Sequence, residues 1–299
     1  MDVEVIKKDG SKFLLSQFGT VQDFIVGSIP NVVNKVTIEG RPGSADYGAE
    51  LGDRTITVPL ILKGEDLHDF AHFRDELFSI IGDSEPFYIR EKRRLKELQY
   101  EFVDFGKVPK WSPQTDNKYV NGKQYLVRVD GEFEFEQEGL RGFATIKFVT
   151  SGLPYAESVY TTKELDDTGL SAIAEKYGLV DGIDDEKTQY VFTDNKFSVW
   201  NAGNVTVEPE SMYLDITISG CTGPKVTIRN KTTGESLEIN VLTNNHVVRQ
   251  NGMIVTVGGI NRFRDTNRRF ISIVPGDNVF EVTGATFDRV NIDFKYYYK

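Results

Sequence analysis

The sequence predicts a mainly β protein with minor α structure, organised as two domains. Aromatic residues make up 12% of the chain, and short stretches in which apolar and polar residues alternate recur along it. Helical periodicity appears in only two stretches. With 299 residues, the chain is long enough for two cores of ordinary size. Strand alternation halts at SGLPY, so we expect domains at residues 1–155 and 156–299.

The first domain is expected to be a β-sandwich with one helix. Alternation in Val36-Thr37-Ile38 and again from Thr55 to Leu62 predicts two strands, joined by a long glycine-containing turn, RPGSADYGAELGDR. The next stretch has a helical period, with Asp66 placed to cap its start and Gly82 its end. Its predicted apolar face consists of Leu67, Phe70, Ala71, Leu77, Phe78 and Ile81.

A long projecting loop is predicted in the second part of this domain. The segment PFYIREKRRLKELQYEFVDF fits either a hairpin or a mixed element, and its pattern leaves both open. Residues 106–124 contain two prolines and several turn formers without a period, which is typical of a long loop. Alternation returns in YLVRVDGEFEFEQEG and in FATIKFVT.

The second domain is expected to be a β-sandwich or jelly roll. It opens with a short helical stretch, TGLSAIAEKYG, and an acidic turn, DGIDDEK. Short strands at spacings of 8 to 12 residues then fill the rest of the chain. The predicted strands are YVF, FSVW, VTVEP, MYLDITISG, KVTIRN, SLEINVL, HVV, MIVTV, RFISIVPG, VFEVTG and VNIDFKYYY.

Composition argues against several classes of function. A net charge of −10 disfavours wrapping around nucleic acid, because neutralising phosphates requires a basic face. The single cysteine cannot form an internal disulfide, and the N-terminal residues lack the apolar stretch of a signal peptide. No apolar run approaches the roughly 18 residues of a membrane span. We therefore expect a protein of a reducing cytosol that binds neither membranes nor specific nucleic-acid sequences.

The motifs that resemble catalytic or metal sites each have a simpler explanation. His68 and His72 have the spacing of a zinc-protease pair, but Asp69 replaces the general-base glutamate and both histidines point away from the apolar face. Cys221 lies in a predicted turn without an adjacent base, which indicates an inert thiol. The acidic turn lacks the spacing of a calcium loop, and Gly258-Gly259 opens no helix. We expect no enzyme activity, cofactor or metal.

Two groups of residues remain as candidates for contacts with partners. A basic run starting at Arg90 is interleaved with glutamates, so it is either a solvated face or a subunit contact. Aromatic residues near the predicted loop, with Tyr125 beside it, either mark a binding tip or anchor the loop to the sandwich. The contact candidates are Arg90, Arg93, Arg94, Trp111 and Tyr119.

Four landmarks along the chain carry a family resemblance. They are Arg41-Pro42-Gly43 with Asp46 and Gly48, the stretch FVTSGLPY from Phe148 to Tyr155, Asn201-Ala202-Gly203 with Pro209, and Pro275-Gly276-Asp277-Asn278. In this order and spacing, they resemble the distal tail protein family of siphophages that infect Gram-positive hosts. The landmarks extend over nearly the whole chain.

The resemblance implies a structural role in the virion, at the tail tip or baseplate, after assembly in the cytoplasm of the bacterial host. The first domain would form a ring, typically of six copies, that joins the major tail tube protein to the tail-associated protein, a tail lysin or fibre hub. The second domain would be similar to galectin-like or carbohydrate-binding modules. It would anchor receptor-binding or baseplate arm proteins for host attachment.

Two other hypotheses compete with the structural role. A carbohydrate-binding protein is motivated by the second β-sandwich with Trp200 and the cluster Tyr296 to Tyr298, which could contact cell-wall glycans. A zinc hydrolase is motivated only by His68 and His72.

Overall fold

The computed structural model describes residues 1–92, 122–168, 182–240 and 246–299. Strands dominate it and two short α-helices complete it, which confirms the mainly β fold with minor α structure. Within these residues, no helix is both long enough and apolar enough to cross a bilayer.

The first half of the chain forms a large antiparallel sheet, a separate two-stranded sheet and one helix. Its elements are β1 (Asp2–Ile6), β2 (Lys12–Leu14), β3 (Gly19–Val21), β4 (Ile25–Val26), β5 (Asn31–Thr37), β6 (Ser44–Leu51), β7 (Thr55–Lys63), α1 (Leu67–Ile81), β8 (Phe87–Lys92), β9 (Lys123–Val129), β10 (Glu136–Glu138) and β11 (Arg141–Thr150). The strands run in the order β2-β1-β8-β9-β11-β7-β3, with β4 also on β7 and β10 on β11. Because β3 at one end contacts β1 near the other, the sheet curls around its core. That core includes Val3, Ile56, Phe87 and Phe148, which are almost completely buried.

Helix α1 has the ends that the sequence predicts. The Asp66 carboxylate accepts a hydrogen bond from the Asp69 amide at 2.8 Å, and Gly82 follows the last helical residue. Within the predicted apolar face, Phe70, Leu77 and Ile81 are buried, whereas Phe78 is exposed and its ring packs against Phe133. Ile80 is buried although it was not assigned to that face.

The predicted long turn between Ile38 and Thr55 is wrong. Residues 44–51 form strand β6, which pairs with β5 in a separate two-stranded sheet. The strand has no alternating apolar pattern because neither of its faces is buried in this chain. By contrast, the strand predicted from Thr55 to Leu62 is confirmed as β7, where residues facing the core alternate with outward ones.

Strands β8 and β9 are neighbours in the sheet, although the 30 residues 93–122 lie between them in the sequence. In register, Phe87 pairs with Val127 and Ile89 with Tyr125. The predicted loop at 106–124 is wrong at its end, because Lys123 and Gln124 already belong to β9. Residues 106–121 of that prediction lie outside the described residues.

The prediction of strands after this point is confirmed in part. Strand β11 covers FATIKFVT, and its alternate residues face the core. The stretch YLVRVDGEFEFEQEG is not one strand, since β9 ends at Val129 and β10 begins only at Glu136. Between them, Phe133 and Phe135 pack against Phe78 of α1. Their spacing in the sequence therefore reflects contact with the helix and not pairing within a strand.

The second half forms two packed sheets, as the sequence predicts. Its elements are β12 (Ala156–Ser158), α2 (Thr162–Thr168), β13 (Val191–Phe192), β14 (Lys196–Asn201), β15 (Leu214–Cys221), β16 (Val226–Asn230), β17 (Ser236–Ile239), β18 (His246–Asn251), β19 (Ile254–Val257), β20 (Ile260–Asn261), β21 (Gly276–Thr283), β22 (Arg289–Phe294) and β23 (Tyr297–Tyr298). One sheet has the order β13-β22-β15-β18-β19-β20 and the other β14-β21-β16-β17. Their inward side chains, such as Ile216 and Phe280, share one core.

Two predicted strands of this half are wrong. VTVEP and the part of RFISIVPG before Gly276 form no strands in the structure, and an isolated bridge joins Val207 to Ile273. Both residues are fully buried. The alternation of apolar and polar residues therefore reflects their burial in the core and not the hydrogen-bonded ladder of a strand. The helical stretch TGLSAIAEKYG lies outside the described residues except for Thr168.

A short strand joins the two halves. Strand β12 pairs with β9 on one side and with β23, near the C-terminal end of the chain, on the other. The Glu157 Oε1 atom accepts hydrogen bonds from Gln124 Nε2 at 2.8 Å and Lys295 Nζ at 2.6 Å. The Lys123 ammonium lies 4.1 Å from the centre of the Tyr298 ring. Residues distant in sequence therefore meet at this joint, while the domain limits at residues 155 and 156 stay a prediction.

Candidate assembly surface

The two-stranded sheet of β5 and β6, which we call the ribbon, is shaped by turn chemistry in the first landmark. Gly40 and Gly43 at its tip have φ angles of +80° and +84°, a conformation that favours glycine. The Asp46 carboxylate accepts a hydrogen bond from the Gly48 amide at 2.9 Å. Gly48, with φ of +96°, lies where β6 has one extra residue relative to β5. The landmark residues thus form the tip and the bulge of a hairpin.

Among the described residues, the ribbon is held to the rest of the chain at its base. The Gly52 amide donates to the Pro30 carbonyl at 2.8 Å, and the Gly27 amide donates to the Thr55 carbonyl at 2.9 Å. Beyond this base, β5 and β6 make extensive contacts only with each other among the described elements. An isolated hairpin of this kind is marginally stable in water.

Large apolar side chains of the ribbon are exposed. Val32 and Val36 are each 51% exposed, and Tyr47 is 70% exposed. Val32 and Val36 lie on the same face of β5, because successive side chains of a strand alternate and the extra residue lies on β6. Ile38, just after the strand, continues this alternation and is also exposed. The ribbon therefore presents an apolar stripe to solvent, which is typical of an interaction surface.

Arg90, a sequence-predicted contact candidate, lies in β8 beside a buried carboxylate. Its Nη1 atom is 3.4 Å from Oε2 of Glu4, and Lys92 Nζ is 2.6 Å from Oε1 of the same residue. Glu4 is only 7% exposed. The first two cations of the basic run thus neutralise an internal carboxylate, and a contact between Arg90 and a partner stays a prediction.

The other contact candidates, Arg93, Arg94, Trp111 and Tyr119, lie outside the described residues. Tyr125, the aromatic residue beside them, packs against both cores. The Arg54 guanidinium lies 5.9 Å from its ring centre, and burial raises the pKa of the Tyr125 hydroxyl. Tyr125 is therefore an anchor within the protein.

The aromatic residues that motivated a glycan surface are already occupied. Trp200 donates its indole N–H to the Gly182 carbonyl at 3.1 Å, and the Lys187 ammonium lies 4.1 Å from its ring centre. Tyr296, Tyr297 and Tyr298 are all buried. The three tyrosines therefore offer no open platform on which a sugar ring could stack, and Lys187 lies over the ring of Trp200.

Residues with catalytic potential are brought together at one point that the sequence did not reveal. Cys221 is the last residue of β15, not part of a turn, and it pairs in register with His246 of β18. Burial of the thiol, with a smaller effect of Asp288, raises the Cys221 pKa to about 11. The thiolate that nucleophilic catalysis requires is therefore scarcely populated near neutral pH.

The histidines and carboxylates of the motifs that resemble metal sites show no arrangement for binding a metal among the described residues. His68 and His72 are exposed on α1. In the acidic turn, Asp184 accepts a hydrogen bond from the Glu186 amide at 3.1 Å and so caps a short 3-10 turn, while Asp181 lies outside the described residues. Within the described ranges, no three histidine, cysteine or acidic side chains are placed to hold a metal ion.

Comparison with known proteins finds a family model and several solved structures that are similar to this chain. The family described as phage tail protein RIFT-related domain matches residues 8–150, which include the ribbon. The crystal structure of the Dit protein of phage SPP1, described as a paradigm of the hub adsorption apparatus in phages infecting Gram-positive hosts, aligns with a TM-score of 0.64 at 14% identity over 99% of both chains. At that identity the likeness is one of fold. No curated protein sequence matches the chain.

The activated baseplate of phage p2 contains a chain with a weaker likeness. The strontium form aligns with a TM-score of 0.42 at 10% identity, over 98% of this chain and 97% of that one. The calcium form aligns with a TM-score of 0.40 at 9% identity, over 99% and 97%.

Proposed function

We propose that the chain, whose residues 8–150 match the phage tail protein RIFT-related domain and whose fold is similar to that of the SPP1 Dit protein, is a siphophage distal tail protein that forms the ring of a phage tail tip. In this role about six copies close into a ring through the first half of the chain. The ring joins the major tail tube protein to the tail-associated protein. The second half holds receptor-binding or baseplate arm proteins.

The exposed ribbon is the observation that carries this proposal. A hairpin that extends from the core, with an apolar stripe along one face, loses free energy when another surface covers it. Covering it with the same molecule requires no further partner. The ribbon and the surface that receives it are different patches, so the contact is heterologous and can close into a ring.

The fold supports a role as a connector. Strand β12 lies between β9 of the first half and β23 at the end of the second, so force applied to one half reaches the other through backbone hydrogen bonds. A component that links a tube to host-binding proteins requires such continuity.

The ribbon can be tested by placing charge on its apolar stripe. We expect the wild-type protein to have about six chain masses by light scattering and a ring shape in negative-stain micrographs. The double variant Val32→Glu/Val36→Glu should be monomeric, because burying two carboxylates in a contact is costly. Its circular dichroism should be unchanged, since neither side chain contributes to the core.

The matched control puts the same charges on the opposite face of β5, in Asn31→Glu/Thr37→Glu, and should still form the ring. A Val32→Glu/Val36→Glu protein with wild-type mass would exclude the ribbon from the contact. A wild-type protein that stays monomeric and does not bind tail tube subunits would refute the ring itself.

A further inference from the structure

A cleft of about 640 Å³ opens in the first half of the chain, beside the C-terminal end of α1. Its apolar wall consists of Phe78 of the helix, Val129 at the end of β9 and Phe133 beyond it. Ser84 and Glu132 lie on its polar side. The volume is in the range of concave sites that bury small molecules, so a large side chain has room there. We call it the α1 cleft.

The side chain of Phe78 is left partly open in this cleft. It is 37% exposed, whereas Leu77 and Ile81 of the same helix are buried. Its aromatic ring meets that of Phe133 edge to face, with the ring centres 5.3 Å apart. Aromatic side chains prefer such tilted contacts, and the open part of this pair offers room for a third aromatic side chain.

Tyr47 of the ribbon is a matching side chain without a cover. At 70% exposed, it is the most exposed large apolar residue in the described part of the chain. Tyr47 follows Ala45 by two positions, and Ala45 pairs with Val36, so Tyr47 lies on the face of the apolar stripe. Among the described elements, β6 makes extensive contacts with β5 alone, so the α1 cleft of the same copy does not cover Tyr47.

We propose that Tyr47 of one copy inserts into the α1 cleft of the next copy, which makes this cleft the acceptor of the ribbon. The inference rests on the ring of the proposed function and names the surface that the ribbon meets. A tyrosine fits because its aromatic ring packs against Phe78 and Phe133 while its hydroxyl meets the polar side at Ser84. Tyrosines held in such clefts are frequent hot spots of protein contacts.

Charge near the cleft favours the same contact. Glu132 lines the cleft, and Arg41 lies at the tip of the ribbon, between Gly40 and Gly43. Both side chains are exposed, and neither forms an ion pair within the described residues. Opposite charges on the two surfaces steer the copies into this orientation.

The contact can be mapped with p-benzoylphenylalanine, a photoreactive aromatic residue, in place of Tyr47 in the full-length protein. On irradiation we expect a cross-linked dimer on a denaturing gel, in which mass spectrometry finds residue 47 joined to a peptide containing Phe78 or Phe133. The same photoreactive residue in place of Thr37, on the opposite face of the ribbon, is the control and should label neither peptide.

A charge in the cleft should break the contact. Phe78→Glu and Tyr47→Ala should each weaken association by about 30-fold or more, which is the effect of truncating a hot spot, and should shift the light-scattering mass toward one chain. Phe143→Glu changes another phenylalanine that is 37% exposed but lies outside the α1 cleft, and should still form the ring. Circular dichroism checks each fold, and Phe78→Ala replaces Phe78→Glu if the latter does not fold.

Two results would overturn this acceptor while leaving the ring itself in place. One is a ring in which the photoreactive residue at position 47 labels only other peptides. The other is a ring that persists in a folded Phe78→Glu protein at the wild-type affinity. A wild-type protein that stays monomeric would instead refute the ring of the proposed function, and this contact with it.

Discussion

At the scale of single residues, buried amides close the turns that frame the second half. Asn278 donates through Nδ2 to the carbonyls of Val274 and Gly276, and its Oδ1 accepts from the Val274 amide. Asn201 donates to the Val205 and Ile273 carbonyls. Both amides are almost fully buried, so replacement by an apolar residue would leave several backbone groups unpaired. Asn201 belongs to the third landmark of the sequence and Asn278 to the fourth.

The cap of α1 supports a prediction on pH at this scale. The hydrogen bond from the Asp69 amide lowers the pKa of Asp66 below its ordinary value of 3.8. A lowered pKa stabilises the folded state above the unfolded pKa, and this stabilisation is lost as the pH falls through the folded pKa. Asp66→Ala should therefore lower the melting temperature by a few degrees at pH 7 and much less at about pH 2.

The measurement is thermal unfolding of both proteins at the two pH values. Glu65→Ala removes an exposed carboxylate next to the cap and should show no such dependence. A loss in Asp66→Ala that is equal at both pH values would show that the capping charge is not responsible.

At the scale of elements, the ribbon differs from every strand that faces a core. Strand β7 alternates between buried and outward residues, whereas the residues of β5 are all exposed. The ribbon thus contributes little to the stability of the isolated chain, and in the proposed ring it would gain stability when a neighbouring copy covers it. The two ends of the ribbon already meet, since the Gly52 amide donates a hydrogen bond to the Pro30 carbonyl.

This arrangement predicts that the ribbon can be removed without unfolding the protein. Replacing residues 31–51 by Asn-Gly, a dipeptide that favours a two-residue hairpin turn, should change the melting temperature by no more than about 3 °C. The shortened protein should be monomeric. Circular dichroism and light scattering provide the two measurements.

A core variant serves as the control that the measurement detects a loss of stability. Ile56→Ala in β7 should destabilise by about 2–5 kcal/mol, because the side chain is fully buried. A shortened protein that loses as much would mean that the ribbon supports the fold rather than assembly.

At the scale of the whole molecule, the two cores are connected through side chains as well as through β12. The Glu157 carboxylate accepts hydrogen bonds from Gln124 of the first half and Lys295 of the second. It also hydrogen-bonds the Tyr88 hydroxyl. Burial, with a smaller contribution from Glu157, raises the pKa of that hydroxyl. One carboxylate therefore connects three elements that lie far apart in sequence.

Removing this carboxylate should uncouple the halves. We expect Glu157→Ala to separate their thermal transitions in calorimetry, with a loss of about 1.5–3 kcal/mol, because Lys295 is left partly buried without its acceptor. Glu138→Ala, an exposed glutamate in β10, should leave the calorimetric trace unchanged. A Glu157→Ala trace identical to the wild type would place the coupling in the β12 backbone alone.

Much of the fold follows from the sequence where burial is periodic. The alternation of Thr55 to Leu62 and of FATIKFVT predicted β7 and β11, because one face of each strand meets a core. Helix α1 was predicted with both ends, since its cap residues Asp66 and Gly82 form hydrogen bonds with backbone groups a few residues away. The order of the landmarks also predicted the likeness to phage tail proteins that residues 8–150 show. Each of these signals is local, so a single stretch of sequence carries it.

The tertiary structure decided what depends on partners far away in the chain. Strand β6 left no periodic signal because neither of its faces is buried, and its exposed partner β5 became a candidate surface only when the pairing was known. The structure also showed that Arg90 and Lys92 both pair with the buried carboxylate of Glu4, and that the rings of Tyr296 to Tyr298 are buried. Local sequence determined α1 and the strands whose burial is periodic, whereas long-range packing determined the pairing of β6 and which side chains stay exposed.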